Sequence, residues 1–183
     1  SSSAASDVYK RQNHILRKMQ RGYNQQKFLE KVDLATSLIK DVSLTTDVIV
    51  GFPGETEEDF EETLTVLRYS KFDAVYMFQF SPRPGTKANE YRDEFIQQDV
   101  IKERFMRLKE IQTQISHDRY KRFVGTKQKL LIENYSKKTN NFMTGKIDGG
   151  QTTHISSKDI KIGDYVNVLI TEASPFALKS ELI

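Results

Sequence analysis

The stretch "TTDVIVGFPGETEEDF", residues 45–60, decides the fold of the first half of the chain. β-Branched residues run directly into a Gly-Phe-Pro-Gly turn, and Thr56 then stands as an N-cap before an acidic first helical turn. A glycine-rich turn after a strand lets a ligand approach backbone N–H groups, and the start of the helix attracts anions. The same pattern also fits an ordinary strand-to-helix turn with a good cap.

Asp47 is the unusual residue of this stretch, because it stands between Thr46 and Val48 on a strand that is otherwise apolar. We expect this strand to be buried, and a buried carboxylate costs several kcal/mol unless a donor hydrogen-bonds it. The hydroxyl groups of a ribose are suitable donors. A strand-capping role for Asp47 is the alternative.

Helices and strands alternate on both sides of this stretch. A short helix is predicted from Asn13 with a C-terminal cap at Gly22, and a second helix over 24–39 with Asn24 as its N-cap. The apolar residues spaced to face inward on the second helix are Phe28, Val32, Ala35 and Ile39.

The alternation continues through a strand over 43–52, a helix over 56–70 and a strand over 72–81 that ends in the loop "PRPGT". This order predicts parallel strands covered by helices, with ligands collecting at the carboxyl ends of the strands. The residues of the helix over 56–70 that are expected to face inward are Phe60, Leu64 and Leu67.

The second half of the chain has a different pattern. A long helix is predicted over 97–123, ended by Gly125, and from Lys127 onward five short strands follow without an intervening helix. Such a series favours a small closed β-barrel. The fold class is therefore α/β followed by a small all-β barrel, with the domain boundary between 13–124 and 125–183. The apolar stripe of the long helix comprises Ile101, Phe105, Leu108, Ile111 and Ile115.

Composition excludes several functions. The chain has no cysteine, which rules out disulfides, thiolate catalysis and Cys-ligated metals within these residues. The three histidines lie far apart, so no metal site is expected. No apolar run is long enough to span a membrane and no signal peptide is evident, so we expect a cytoplasmic protein without a membrane partner. The net charge of +3 permits RNA binding without requiring it.

Residues 1–12, "SSSAASDVYKRQ", are rich in Ser and Ala and lack periodicity. They join abruptly to a helical pattern. We interpret them as a spurious leader and expect the natural protein to start further upstream.

Four motifs occur in order along the chain: "MQRGYN", "TTDVIVGFPGETEEDFEET", "FQFSPRPGT" and "VLITEASPFALKSELI". Together they resemble the C-terminal part of the radical S-adenosylmethionine (SAM) methylthiotransferases, and the resemblance covers nearly everything from Asn13 to Ile183. It implies two iron-sulfur clusters of the 4Fe-4S type, one in an N-terminal domain and one on a CxxxCxxC loop of a partial barrel, and a C-terminal RNA-binding TRAM barrel. Because cysteine is absent, the chain is expected to be a fragment: the last strands of the radical SAM domain plus TRAM, without the N-terminal part of the same protein.

The resemblance also implies cosubstrate-binding residues. Arg21 is similar in position to an Arg that contacts the methionyl carboxylate of SAM, and Asp47 to an Asp that holds its ribose. Both fit chemically, since Arg pairs with carboxylates and Asp accepts from hydroxyls. Ile49 and Val50 are expected to offer an apolar wall to adenine, with Gly51 leaving room. A surface salt bridge for Arg21 and a core role for the apolar residues are the alternatives.

RNA contacts are expected from charged and aromatic residues. Arg83 in "SPRPGT" could pair with a phosphate of the anticodon loop or with the substrate base, or else with a helix terminus or a Glu. In the TRAM segment Lys137, Lys138, Phe142 and Lys146 interleave charge with an aromatic ring, as RNA-binding barrels do. Lys146 stands where the family commonly has Arg, which keeps the charge but loses bidentate geometry. A solvated surface is the alternative for each lysine.

The function implied is the addition of a methylthio group to C2 of N6-isopentenyladenosine next to the anticodon of tRNA. "SPRPGT" matches the tRNA-modifying type better than the relatives that modify a ribosomal-protein aspartate. The alternatives are a methylthiotransferase for threonylcarbamoyl-adenosine tRNA or for a ribosomal-protein aspartate, and a non-catalytic RNA-binding module. No catalytic residue is assigned within these residues, and the fragment alone is expected to be inactive.

Overall fold

The computed structural model of the protein describes residues 13–135, 142–156 and 160–183. The chain forms two compact units that divide between Gln112 and Thr113, inside a long helix. This division lies closer to the N-terminus than the predicted boundary at residue 124, which stays a prediction. None of the helices in the described ranges is long and apolar enough to cross a membrane.

The first unit is an α/β arrangement around two parallel strands. Residues 13–18 are helical. The elements that follow are α1 (Gln25–Leu38), β1 (Thr45–Val50), α2 (Glu57–Ser70), β2 (Ala74–Gln79), two 3-10 turns (Lys87–Glu90 and Arg92–Glu94) and the start of α3 (Gln98–Lys121). Thr45 pairs with Ala74 and Val50 with Gln79, in parallel register. The predicted strand-helix-strand unit is confirmed.

Side-chain caps fix where two of these helices begin. Asn24 accepts the N–H of Lys27 at 2.8 Å. Thr56 and Asp59 form a reciprocal capping box, in which the Asp59 carboxylate accepts the N–H of Thr56 at 2.9 Å and the Thr56 hydroxyl accepts the N–H of Asp59 at 3.2 Å. Both predicted N-caps are confirmed, because a cap depends only on residues within one turn of each other.

The cap predicted at Gly22 is wrong. The left-handed residue that ends the first helix is Gln20, with φ 56°, and the N–H of Arg21 donates to the carbonyl of Leu16 at 2.9 Å. This six-residue bond closes the helix two positions before the glycine.

Two burial predictions are also wrong. Ile39 is the C-cap of α1 and is exposed, because the helix ends at Leu38 and carries the residue beyond the core. Asp47 is exposed rather than buried. Tyr76 and Phe78 of β2, which are registered with Asp47 and Ile49, are exposed as well. This face of the strand pair is therefore open to solvent, and the predicted cost of burial does not arise.

Helices α2 and α3 supply much of the core of the first unit. Phe60, Leu64 and Leu67 of α2 are buried as predicted. On α3 the apolar stripe is confirmed: Ile101 and Leu108 are buried, and Phe105, Ile111 and Ile115 are half-buried.

The second unit is a five-stranded barrel, which confirms the prediction. Its strands are β3 (Lys127–Tyr135), β4 (Phe142–Ile147), β5 (Thr152–Ser156), β6 (Tyr165–Ala173) and β7 (Leu178–Leu182). The ladder closes in the order β3-β4-β5-β7-β6, antiparallel except for the parallel pair β5-β7. Its core includes Leu130, Ile132, Ile155, Val168, Ile170 and Leu178, together with Tyr120 and Phe123.

Candidate functional site

A cavity of about 140 Å³ runs along the outer edge of β1, the edge that does not pair with β2. Four consecutive β1 residues, 46–49, lie on its wall, opposite Ile15, Leu16 and Met19 of the first helical segment. Helices α1 and α2 and the residues next to them contribute the remainder, including the apolar side chains of Phe28, Val66, Leu67 and Phe72. The cavity therefore combines an edge of backbone with a largely hydrophobic floor.

The alternation of β1 divides the cavity wall into two faces. Thr46 and Val48 point to one face of the strand, and Asp47 and Ile49 point to the other. On β2 the registered neighbours of Asp47 and Ile49 are Tyr76 and Phe78, both exposed. An open face with one carboxylate and several apolar side chains results.

Arg21 and Asp47 both reach the cavity from exposed positions. Arg21 lies in the turn after the first helix, and Asp47 lies at the middle of β1. Within the described ranges neither side chain makes a hydrogen bond or an ion pair. The structure thus brings together a guanidinium and a carboxylate that the sequence separates, with both groups available to a ligand.

The other two predicted cosubstrate residues differ from each other in position. Ile49 lines the cavity, whereas Gly51 does not. Gly51 has φ +79°, and a side chain there would collide with Ile101 of α3. The glycine therefore serves the close approach of α3 to the turn. Val50, predicted as part of the adenine wall, is fully buried in the core.

The turn after β1 is held by a buried ion pair that the sequence reasoning missed. One oxygen of Glu55 accepts the N–H of Gly51 at 2.9 Å and lies 2.9 Å from Nη1 of Arg104, which also donates to the carbonyl of Glu55 at 3.1 Å. Burial raises the pKa of Glu55, and the Gly51 N–H and Arg104 oppose that rise. Two features of the sequence could have indicated this pair. Glu55 directly follows the Gly-Phe-Pro-Gly turn, and Arg104 lies on the apolar side of a helix.

Arg104 extends this pairing to the start of α2. Its Nε lies 3.0 Å from the carboxylate of Glu57, which Arg107 also contacts at 2.6 Å. Partial desolvation raises the pKa of Glu57, but the hydrogen bonds from Arg107 and Arg104 outweigh it and leave the pKa lowered. Helix α3 is therefore fastened to the turn by charge as well as by apolar contact.

Two buried oxygens on the cavity wall lack a donor. Oδ1 of Asp59 and Oε1 of Gln25 accept no hydrogen bond from the residues that the structure describes. Asp59 is 3% exposed, and Nδ1 of His14 lies 4.0 Å from its Oδ1. Since unpaired buried acceptors are costly, this wall is chemically suited to receive N–H or O–H donors.

The barrel places two predicted RNA-binding residues on one surface. Phe142 and Lys146 lie on the outward face of β4, and Nζ of Lys146 donates to the hydroxyl of Thr152 on β5 at 2.9 Å. Lys137 and Lys138 lie outside the described residues. Arg83 is exposed in the loop after β2, where its carbonyl accepts the N–H of Thr86 at 3.2 Å.

No group of three or more His, Asp or Glu side chains in the described part of the chain is arranged to hold a metal ion.

Two family models match the chain. The radical SAM superfamily model matches residues 4–67, and the TRAM domain model matches residues 121–183. The first match begins inside the segment 1–12 that we interpreted as a leader, and that interpretation stays a prediction.

Curated relatives match most of the chain. A tRNA-2-methylthio-N(6)-dimethylallyladenosine synthase of Corynebacterium glutamicum is 40% identical over 172 residues, covering 90% of this chain and 33% of the relative. Proteins of the same name from Aquifex aeolicus and Clostridium botulinum are 40% and 39% identical over 171 residues, each covering 93% of this chain and 38% of the relative.

The chain therefore spans only about a third of the length of these relatives. The order of the two matched domains, the closed barrel and the identity to these relatives agree with one another. The chain belongs to the radical SAM methylthiotransferase family, and it corresponds to the C-terminal part of the longer members that it matches.

Proposed function

We propose that this chain is the cosubstrate-binding and RNA-binding part of a methylthiotransferase that modifies C2 of N6-isopentenyladenosine next to the anticodon of tRNA. The observation that carries the proposal is the continuous match, over 90% of the chain, to relatives named for this product. The radical SAM segment precedes the TRAM barrel in the chain. This order supports a protein that combines a nucleoside-binding surface with an RNA-binding surface.

The open face of β1 is the proposed SAM cradle. Arg21 would pair with the carboxylate of the methionyl group, and Asp47 would accept hydrogen bonds from the ribose hydroxyls. Their exposure and their lack of partners within the described ranges support these roles, because neither group must first break an internal bond. Ile49 would contact the adenine. When bound, SAM supplies the methyl group and the deoxyadenosyl radical of this reaction class.

The residues of this chain do not fit an iron-sulfur cluster, because no cysteine is present in any of the 183 positions. In the proposed enzyme the cluster ligands belong to other parts of the protein, and no step of the chemistry is assigned to this chain. The chain alone is expected to be inactive, and its place of action is the cytoplasm, where tRNA is modified.

The outer edge of β1 is the proposed contact with the N-terminal part of the same protein. A further parallel strand placed in the cavity would pair with residues 46–49 and cover the apolar floor. Its backbone N–H groups would also be near Asp59 and Gln25, the two buried acceptors that lack donors. An edge strand that lies beside an uncovered apolar floor and beside acceptors without donors favours pairing with another segment of chain.

The RNA-binding surface is proposed to include Phe142 and Lys146 on β4, Lys137 and Lys138 in the segment before it, and Arg83 in the loop after β2. Lysines neutralise phosphates, and an exposed aromatic ring stacks on a base. The anticodon stem-loop is the expected ligand.

The activity is tested with the complete reading frame that contains this chain. Mass spectrometry of tRNA nucleosides should show the methylthio group on isopentenyladenosine; its appearance on threonylcarbamoyl-adenosine, or nowhere, would overturn the proposed substrate. Asp47→Asn should raise the KM for SAM by about 10- to 150-fold, since one good hydrogen bond to a charged group is worth about 1.5–3 kcal/mol. Asp99→Asn, a change at an exposed carboxylate in the first turn of α3 and away from the cavity, is the matched control and should leave KM unchanged.

The isolated chain provides a second test. After anaerobic reconstitution with iron and sulfide it should show no brown cluster absorption and cleave no SAM. In fluorescence anisotropy it should bind an anticodon stem-loop with an affinity that falls as salt rises, and neutralising Lys137 and Lys138 should weaken that binding. Cluster formation in this chain, or salt-independent binding, would contradict the proposal.

A further inference from the structure

The outward face of the barrel carries an exposed aromatic ring beside the predicted RNA-binding residues. Tyr165 is the first residue of β6 and is 63% exposed. It pairs across the ladder with Leu131 of β3, and Leu131 pairs on its other side with Lys146 of β4. Lys146 in turn pairs with Thr152 of β5. These four residues form one row across four strands, here called the tyrosine row.

The tyrosine row is accompanied by a second cation. Nζ of Lys129 lies 5.0 Å from the centroid of the Tyr165 ring. Lys129 is two residues from Leu131 on the same face of β3, so it occupies the diagonal position to Tyr165. A lysine at this distance holds the ring by a cation–π contact, and the tyrosine nevertheless remains largely open to solvent.

Charge on these positions has one sign. Lys129 and Lys146 lie on either side of Leu131, and the ladder partner of Lys129 is the neutral Asn167. The nearest acids along the chain are Asp164, whose carboxylate accepts the N–H of Lys161 at 2.9 Å, and Glu133, which is exposed two residues beyond Leu131 on β3. An aromatic ring with one ammonium group against it and a second ammonium group two strands away, in a row without a carboxylate, is complementary to a base and its neighbouring phosphates.

We propose that the tyrosine row is a stacking site for one unpaired nucleotide of the RNA, with the base on the Tyr165 ring and the adjoining phosphates at Lys129 and Lys146. The proposal rests on the proposed function, and it extends the RNA-binding surface from β4 to β6. It adds two residues, Tyr165 and Lys129, that the sequence motifs do not point to. Single-stranded RNA is the ligand, because base stacking needs a base that is not already paired on both faces.

The test uses the isolated chain, a fluorescent anticodon stem-loop and anisotropy at fixed salt. Tyr165→Ala should weaken binding about 5- to 150-fold, the range for loss of one stacked base. Tyr165→Phe keeps the ring and should stay within about twofold of the unaltered chain. Phe176→Ala removes an equally exposed aromatic residue from the turn between β6 and β7 and is the matched control. Circular dichroism verifies that each variant folds.

A second measurement separates stacking from charge. A 2-aminopurine in the loop should lose fluorescence on binding to the unaltered chain and keep it with Tyr165→Ala. Lys129→Gln should instead reduce the slope of log K against log salt by about 0.7, the value for one phosphate of a single strand. Binding to the closed duplex of the same sequence should be weaker.

The outcomes distinguish the two proposals. Salt-dependent stem-loop binding that is unchanged in Tyr165→Ala and Lys129→Gln would overturn the tyrosine row and leave the proposed function standing. Absence of stem-loop binding by the unaltered chain would overturn both. Equal binding of duplex and loop would identify a phosphate-only surface and also reject the stacking site.

Discussion

The two units differ in whether the outer edges of their strands are paired. In the first unit β1 has an outer edge that pairs with no strand among residues 13–135, and a cavity of about 140 Å³ lies along it. In the barrel each of the five strands has a neighbour on both sides, and the ladder closes. A closed ladder satisfies its backbone within its own residues, whereas an open edge calls for further chain. The barrel is therefore expected to be the more self-sufficient unit.

The contacts that stabilise the interior of each unit also differ. The barrel core is built from aliphatic and aromatic side chains on neighbouring strands. The turn after β1 depends in addition on the buried pair of Glu55 and Arg104, which are 49 residues apart. A single substitution can therefore lower the stability of one unit while the other unit stays folded and serves as the comparison.

The largest effect is expected from Glu55→Ala. This change removes the buried carboxylate that pairs with Arg104 and leaves the guanidinium with only the more exposed Glu57, and breaking a buried ion pair costs about 3–5 kcal/mol of the free energy of unfolding. Glu61→Ala is the control, because Glu61 pairs with Arg107 at the surface and should cost about 0–1 kcal/mol. Hydrogen exchange by mass spectrometry should show lost protection in β1 and α2 with β3–β7 retained. Equal loss in both units would contradict the comparison.

A comparable break in the barrel is expected from Gly145→Ala. A methyl group at this position would overlap the carbonyl oxygen of Leu131, a backbone atom that cannot move aside within a closed ladder. Overpacking of this kind costs about 3 kcal/mol. Chemical denaturation should place the loss in the barrel strands. Gly22→Ala has open space around it and should change stability by less than about 0.5 kcal/mol.

A smaller loss of stability is expected when the N-cap of α2 is removed. Thr56→Ala removes the hydroxyl that accepts the N–H of Asp59, and loss of such a cap costs about 1 kcal/mol. Thr65→Ala, in the exposed middle of α2, serves as the control and should be nearly neutral. Thermal unfolding followed by circular dichroism measures both. Similar losses in the two variants would mean that the capping box does not stabilise α2.

The smallest effect is a dependence on pH. The pKa of Glu57 is lowered in the folded chain from its ordinary value of 4.5, so the ionised carboxylate stabilises the fold. That contribution is complete above the ordinary value and disappears as the pH falls through the lowered one. Urea unfolding of Glu57→Gln and the unaltered chain should therefore differ at pH 7 and converge toward about pH 3. A difference that grows on acidification would give the opposite sign and reject this assignment.

Much of the fold was predictable because it depends on neighbours in sequence. The capping box of Thr56 uses a residue three positions away, and the inward residues of α2 follow the helical repeat. The barrel was predictable from short strands separated by turns without a helix. Predictions failed where burial depended on what covers a surface: Asp47 is exposed because its face of β1 is open, and Ile39 because α1 ends one residue earlier.

Some residues of the candidate sites were likewise predictable from the sequence, and others were not. Motif likeness singled out Arg21, Asp47 and Ile49, and the fold brings all three to one cavity. It did not single out Arg104 or Tyr165, whose surroundings come from distant elements. Gly51 was predicted as room for a ligand, but α3 occupies the space beside it.

The sequence by itself determined the order of helices and strands, the N-caps of α1 and α2, the absence of cysteine ligands and the family of the chain, since each of these depends on local spacing or residue identity. Only the tertiary structure decided that Glu55 meets Arg104, that Lys129 lies over Tyr165, and that β1 keeps an open edge. Contacts of this kind depend on how elements far apart in the chain pack and pair, and no periodicity in one segment records which other segment will lie against it.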